Sequence, residues 1–580
     1  MFKYFTMSRW SLTLVILALI MHGSLVSAQV ASRFNILITE IFSDPTPSVG
    51  LPSLEFIEIR NVSAIPFNLK EWLISDGNST ATITVNYILQ PDSAVIICAN
   101  SAVANLSVFG SCIGVSNFPS LDNEADLISL RSPAGTVIHA VHYNKDWYQN
   151  DLKSTGGWTL EMIDPENPCG GIANWKASTN PSGGTPGRKN SVDGNNRDEI
   201  APALLRTYNL DSVSLVAVFD EPLDSLLAAN LSAYTLDRNL AKPRISVPVG
   251  PLFTEVFLKF SDRMSPEIVY NLTVNSVTDC TGNIIGMKNK SKTGLISAAD
   301  TFDIVINEIL FNPKSDGFDF IEVYNKSKKI INLQQVYVAN RNATGGVGNI
   351  KQLSVVPYLF YPEEYIVITE NTRWLAQNYI VKNHENILEL PSLPTLPDDK
   401  GTVILLNQQG KSIEELYYDT KWHFALITDD EGISLERIDY NKPTQNKHNW
   451  TSAASTAGFA TPGYQNSQFK ADPQMQGTIS ISPKIFSPDN DGLDDLMNMQ
   501  YQMTAPGYVA NITIFDANGR PVKHLAKNAT LALQGHLRWD GLNDQLEQLP
   551  VGIYIVFTEI FNLQGKTKKF KNVVTLARKF

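Results

Sequence analysis

The chain has 580 residues, 43 % of them hydrophobic, and its 47 Lys and Arg against 58 Asp and Glu leave a formal net charge of -11. That length exceeds what one core can serve and suggests roughly four domains, while the apolar content excludes a disordered chain. The acidic balance disfavours nucleic acid as a partner, because a grip on phosphates needs Lys and Arg to release counterions.

The N-terminus reads as a targeting segment. Lys3, Arg9 and Trp10 precede the apolar run 12–21, and Val26-Ser27-Ala28 puts small residues before a cleavage point. Residues 1–28 are therefore expected to be a signal peptide that is removed on export. The run is too short to cross a bilayer comfortably, and no later stretch of the sequence is long and apolar enough, so no transmembrane segment is expected in the mature chain. The address this implies is extracellular or on the outer cell surface, with the periplasm as the alternative.

From residue 34 a module begins that occurs twice. Asn35-Ile-Leu-Ile-Thr-Glu40-Ile-Phe-Ser-Asp44-Pro45 and Glu55-Phe-Ile-Glu58-Ile-Arg-Asn61 return as Asp303-Ile-Val-Ile-Asn-Glu308-Ile-Leu-Phe-Asn312-Pro313 and Asp319-Phe-Ile-Glu322-Val-Tyr-Asn325. Leu160-Glu161 answers Leu435-Glu436, Asn174-Trp175 answers Asn449-Trp450, and Thr185-Pro-Gly187 answers Thr461-Pro-Gly463. A repeat of this length is a duplicated domain, not a solenoid. Its apolar or alternating runs, such as 36–41, 56–60, 94–98, 127–131 and 137–143, are short and separated by turn formers, which reads as a β-sandwich. A short helix near 373–377 is the one helical signal in the second copy.

The modules are assigned to 34–190 and 302–466. Between them, residues 200–298 alternate at Leu215, Ala217, Phe219 and at Val256, Leu258, Phe260, as strands with one buried face do. Residues 190–197 and 467–477 read as polar linkers. The last domain, 478–580, carries Ile485-Phe-Ser-Pro-Asp489-Asn-Asp491-Gly-Leu-Asp494-Asp495, then 511–520 with an Asn-Gly turn, Trp539-Asp-Gly541, and a terminal strand over 571–578. The fold class expected is all-β, with four tandem Ig-like β-sandwich domains after the cleaved signal peptide.

Three resemblances rest on these residues. The "I-N-E-I…N-P" opening, the "F-I-E-V-Y-N" strand, Asn332-Leu333 and the hairpin from Gly401 to Gly410 resemble a bacterial lamin-tail domain. The "F-D-E-P-L" corner at 219–223 and the late "V-T-D…G-N" pair resemble S-layer-type bacterial Ig-like domains. The last domain is similar to the C-terminal domain of gliding-motility-associated proteins and to the FlgD-type Ig-like fold, although the "P-N-G-D-G" of that group reads here Pro488-Asp-Asn-Asp-Gly492. The lamin-tail resemblance implies a binding or tethering module whose bacterial relatives often accompany hydrolases. The terminal one implies export and surface attachment through the type IX secretion machinery.

The cysteines Cys98, Cys112, Cys169 and Cys280 are disulfide candidates in an exported chain, and four allow three connectivities. The favoured pairs are Cys98–Cys112, a local clip, and Cys169–Cys280, a tie to the next domain; free buried thiols are the alternative. The second copy has Thr369 and Thr444 at the places of Cys98 and Cys169, so the module itself does not need them. The acidic loop offers Asp489, Asp491, Asp494 and Asp495 as oxygen ligands for Ca²⁺, the one cofactor weighed, though a single loop supplies few of the six to eight oxygens that ion takes; a solvated Asn-Asp-Gly turn is the plainer reading. Trp147 and Trp422, at matched positions, could stack on a sugar or a base, against the commoner role of packing on the core. Glu40 with Glu58 and Glu308 with Glu322 could work as acid and base, but recurrence within one chain points to a structural need. His139 and His142 fall on opposite faces of a strand, and no catalytic motif occurs.

The expectation is a non-enzymatic cell-surface or envelope protein that presents duplicated lamin-tail modules for adhesion or tethering. Its partners would be a surface polymer or an envelope protein, with the secretion machinery at its C-terminal domain. The alternative is a polysaccharide- or nucleic-acid-binding accessory to secreted hydrolases.

Overall fold

The structure is a computed structural model, and it describes residues 31–238, 240, 242–469, 478–563 and 567–578. The expected signal peptide lies outside the described residues. The molecule is built from β-sandwich domains. It forms two compact units, the first taking the described residues up to Thr207 with Val213–Asp262 and Asn271–Ser291, the second Tyr208–Ser212, Arg263–Tyr270 and Lys292 onward.

Each copy of the module is a six-stranded sheet against a four-stranded one. In the first, the six strands run Trp175–Ala177, Leu160–Met162, Ile36–Phe42, Phe56–Asn61, Ala94–Ala99, Cys112–Val115. The facing sheet runs Val137–Asn144, Ala125–Arg131, Leu73–Ser75, Thr80–Thr82. The second copy repeats both orders, with Ile304–Leu310, Phe320–Asn325 and Leu435–Arg437 at the centre of its large sheet. Ile36–Phe42 and Ile304–Leu310 are buried at every residue, as a central strand covered on both faces must be. One face meets the core between the sheets, where Trp175 and Trp450 sit. The other meets a smaller apolar cluster around Phe42 and Phe56, or around Leu310 and Phe320. The large sheets are not wholly antiparallel: Cys112–Val115 and Ile387–Glu389 join their edges in parallel. The helical signal near 373–377 is the helix Thr372–Asn378, capped by Asn371.

The segment between the modules has a four-stranded sheet, Leu204–Asn209, Ser214–Phe219, Glu255–Lys259, Ile245–Val249, and a three-stranded one, Tyr234–Leu236, Tyr270–Val274, Lys290–Thr293. The last domain packs Thr478–Ser482, Met497–Gln502 and Gln534–Trp539 against five strands: Ile485–Phe486, Thr567–Leu576, Gly552–Asn562, Tyr508–Phe515, Pro521–Leu531. Trp539, between the rings of Phe486 and Tyr554, centres its core. No helix among the described residues is long and apolar enough to cross a membrane.

Candidate functional site

The feature both modules share is a row of three buried glutamates across the large sheet. In the first module Glu40 lies opposite Glu58 on one side and Glu161 on the other. A bulge between Ile38 and Glu40 sets this register; without it the side-chain alternation would turn Glu40 to the main core. The three are 0 to 1 % exposed, so no substrate reaches them. They are covered by the strap that follows Trp175–Ala177. Glu40 Oε1 accepts from the Thr159 hydroxyl and the Thr185 amide, both at 2.7 Å. Glu58 accepts from the Gly187 amide at 2.6 Å and the Thr39 hydroxyl at 3.1 Å. Glu161 accepts from the hydroxyls of Thr185 and Ser191. Gly187 has φ +73, and a Cβ there would meet the Phe109 carbonyl oxygen at 2.5 Å, so the strap needs glycine at this point.

The second module repeats the row as Glu322, Glu308 and Glu436. Gly463 donates to Glu322 at 2.6 Å, Thr461 N–H to Glu308 at 2.8 Å, and Ser467 Oγ and Gln468 N–H to Glu436, each at 2.9 Å. Asn190 and Asn466 complete the match: each side-chain amide donates to carbonyls on two strands, Thr39 and Met162 in one module, Asn307 and Arg437 in the other. Asn190 to Val192 and Ser467 to Gln468, which read as linker, therefore belong to the straps. The repeated Asn-Ser after Thr-Pro-Gly was the available signal.

Burial, then the neighbouring glutamates, holds Glu40 and Glu322 well above the usual carboxylate range. Burial pushes Glu58 to about 7 and Glu308 to about 8, the latter with help from Glu436. Hydrogen bonds require a proton in the second row. Thr461 Oγ1 lies 2.8 Å from Glu308 Oε2 and 2.9 Å from Glu436 Oε1. A hydroxyl has one proton, so one of those carboxyls must bring its own. Each carboxyl spends one oxygen on two other donors, Glu308 Oε1 on Ser434 and Thr461 N–H and Glu436 Oε2 on Ser467 and Gln468, and turns the other to the Thr461 hydroxyl; burial raises Glu308 to about 8, and we take Glu308 as the acid. Such a row is a lock. Its hydrogen bonds contribute roughly 0.5–1.5 kcal/mol each where the carboxyl is protonated and roughly 1.5–3 kcal/mol where it is charged.

The two modules differ beside the row. The bulge leaves the N–H of Ile38, and of Ile306, without a strand partner. In the first module His139 Nδ1 accepts it at 2.9 Å, and Nε2 contacts the Pro168 carbonyl at 3.0 Å; burial lowers the His139 pKa to about 4, so the ring is neutral. In the second, Glu414 accepts the Ile306 N–H and pairs with Arg437 at 2.8 Å, both almost fully buried. His142 is exposed.

The other candidate residues lie apart from the rows. Trp147 and Trp422 are half-buried and pack on the two cores, Trp147 with its ring 6.2 Å from that of Trp175. Cys169 and Cys280 form a disulfide. Cys98 and Cys112 are not joined; their sulfurs are 3.3 Å apart, with Cys98 buried. Contact at that distance keeps the clip as a proposal. Alkylation of the denatured, unreduced chain from the exported fraction is expected to label no cysteine; two labelled residues would show a buried thiol pair instead. In the terminal loop Asp489, Asp491 and Asp495 converge, but Asp494 does not join them and is exposed, at φ 53. Asp495 already accepts the amides of Asn490 and Gly492, as a tight acidic turn does. A second group, Asp198, Glu221 and Asp279, converges in the first unit; Asp279 is spent on the amides of Thr281, Gly282 and Asn283.

No curated protein matches the chain. Among solved structures, domains 1-6 of the surface layer protein SbsC are 10 % identical, with 66 % of this chain and 55 % of that one covered and a TM-score of 0.16. PorZ of Porphyromonas gingivalis, described as a surface component of the type-IX secretion system, is 10 % identical over 78 % of this chain and 56 % of its own, at a TM-score of 0.16. CopC from Methylosinus trichosporium OB3b is 18 % identical over 18 % of this chain and 97 % of its own, at 0.14. The chain thus spans about half the length of the SbsC and PorZ structures, and these TM-scores define no common arrangement. The Lamin Tail Domain model matches two stretches, residues 29–145 and 297–420, one in each module and together less than half of the chain.

Proposed function

We propose that this is a non-enzymatic, exported surface or envelope protein that presents its two lamin-tail modules for adhesion or tethering, with residues 478–580 as the sorting or attachment unit for the type IX secretion machinery. The observation that carries the reading is the fate of the carboxylates. The glutamates repeated in both copies are sealed under their straps and spent on holding them, which leaves two rigid frames whose outer loops differ. Two copies on one chain raise avidity for a repetitive partner.

The test is cell fractionation of the full chain and of a chain stopped after Phe469. The stop must spare Ser467 and Gln468, which hold Glu436. The full chain is expected at the surface or in the medium, and the shortened one in the periplasm. If both forms are found in the same fraction, the terminal domain is not a sorting unit.

A further inference from the structure

We infer that the outward face of the small terminal sheet, formed by Thr478–Ser482, Met497–Gln502 and Gln534–Trp539, is a binding face for a neutral polysaccharide chain. The register builds it row by row. Thr478 stands opposite Gln502, and Gln502 opposite Gln534. One step along, Ser480 stands opposite Gln500, and Gln500 opposite His536. The rows between them, with Tyr501, Ile481, Met499 and Leu537, point into the domain, where the first three are buried. Over the outward rows lies a hollow of about 390 Å³.

The chemistry of that face selects its ligand. Gln500 and Gln534 each carry two N–H donors and a carbonyl acceptor, and the hydroxyls of Thr478 and Ser480 are each both donor and acceptor, which is the complement of a sugar hydroxyl. Adjacent strands put such groups about 4.8 Å apart, on the scale of one sugar ring. Among the described residues no carboxylate lines the hollow, so none of them offers a metal ion an anionic ligand there. The aromatic ring at its wall, Tyr501, is 4 % exposed, with its hydroxyl 2.8 Å from Thr456 Oγ1; an apolar protein partner would find no anchor. One guanidinium stands in the third row, Arg538, engaged with Asn498 at 3.1 Å, too little charge for a polyanion. Two rows of amides and hydroxyls, with the imidazole of His536 at the end of one, remain on the sheet, suited to an extended neutral glycan.

The experiment measures retention of the purified full chain on amorphous cellulose, xylan, β-1,3-glucan and starch, with alginate as the charged comparison. It is independent of where the cell places the protein, so it can fail without touching the surface reading, and the reverse. The parent is expected to bind at least one neutral polymer, with little change at 0.5 M salt. The variant Gln500→Ala/Gln534→Ala/His536→Ala, which alters exposed side chains alone, is expected to bind at least tenfold more weakly while its melting temperature stays unchanged. Retention of no neutral polymer, salt-sensitive retention on alginate alone, full affinity in the variant, or concentration-dependent self-association lost in the variant would each overturn the assignment.

Discussion

Arg437→Met is expected to destabilise the second module by about 3–5 kcal/mol, the usual cost of stripping the partner from a buried charge. Arg437 and Glu414 are 0 and 3 % exposed. The guanidinium also donates to the carbonyls of Ile306, Asp439 and Lys442 and to the Thr444 hydroxyl, so four acceptors lose this donor along with the carboxylate. The first module solves the same problem without charge: His139 takes the place of Glu414, Met162 that of Arg437 and Cys169 that of Thr444. The carbonyl that receives the His139 ring belongs to Pro168, and Pro443 occupies that position in the second copy. The double variant Glu414→His/Arg437→Met should therefore recover at least half of the loss. Hydrogen exchange of the strand Ile304–Leu310 reads the opening of this module apart from the rest of the chain. A cost of under about 1 kcal/mol for Arg437→Met, set against the 3–5 expected, or a double variant no better than the single one, would show that the pair is not holding the bulge.

That exchange of His139 for Glu414 shows where the sequence stops being legible. The central strands were plain, because a run such as Ile36–Phe42 can only be a covered strand. The strand Ile245–Val249 was not, since it alternates exposed and half-buried residues and carries Pro248, a pattern with weak period and an edge-strand residue. The glutamates were visible as repeated residues, yet not as a row. Their common face depends on a bulge at Thr39 or Asn307 that no local pattern announces, and a register change of one residue moves every side chain to the other face. The acceptors for Ile38 and Ile306 were hidden for another reason: an imidazole and a carboxylate look unrelated until the N–H they serve is seen. The straps were half legible. Thr-Pro-Gly marked their start, while Asn190-Ser191 and Ser467-Gln468 looked like linker because their partners lie far away in sequence.

The proton on the second row should make that module weaken as pH rises. Burial raises Glu308 from 4.5 to about 8, so between those values the folded state holds a proton that the unfolded chain has released. The stabilisation is full below 4.5, declines by up to about 1.4 kcal/mol per pH unit, and is gone above about 8. Other acids titrate too, so the readout is the difference between the parent and Glu308→Gln, followed by hydrogen exchange of Ile304–Leu310 from pH 5 to 9. Glutamine reproduces the protonated acid: its oxygen can accept from Thr461 N–H and Ser434, and its amide can donate to Thr461 Oγ1. The variant is expected to lack the decline, and parallel profiles would place the proton elsewhere. The matching change at the neighbouring residue should behave differently. Both oxygens of Glu322 accept from nitrogen donors, Gly463 N–H and Asn307 Nδ2, each at 2.6 Å. Glu322→Gln turns an amide against one of those donors. It should cost about 1–3 kcal/mol, as an unsatisfied buried donor does. The contrast in cost between two adjacent, equally buried glutamates separates a carboxyl that glutamine can mimic from one whose two oxygens both accept from N–H groups.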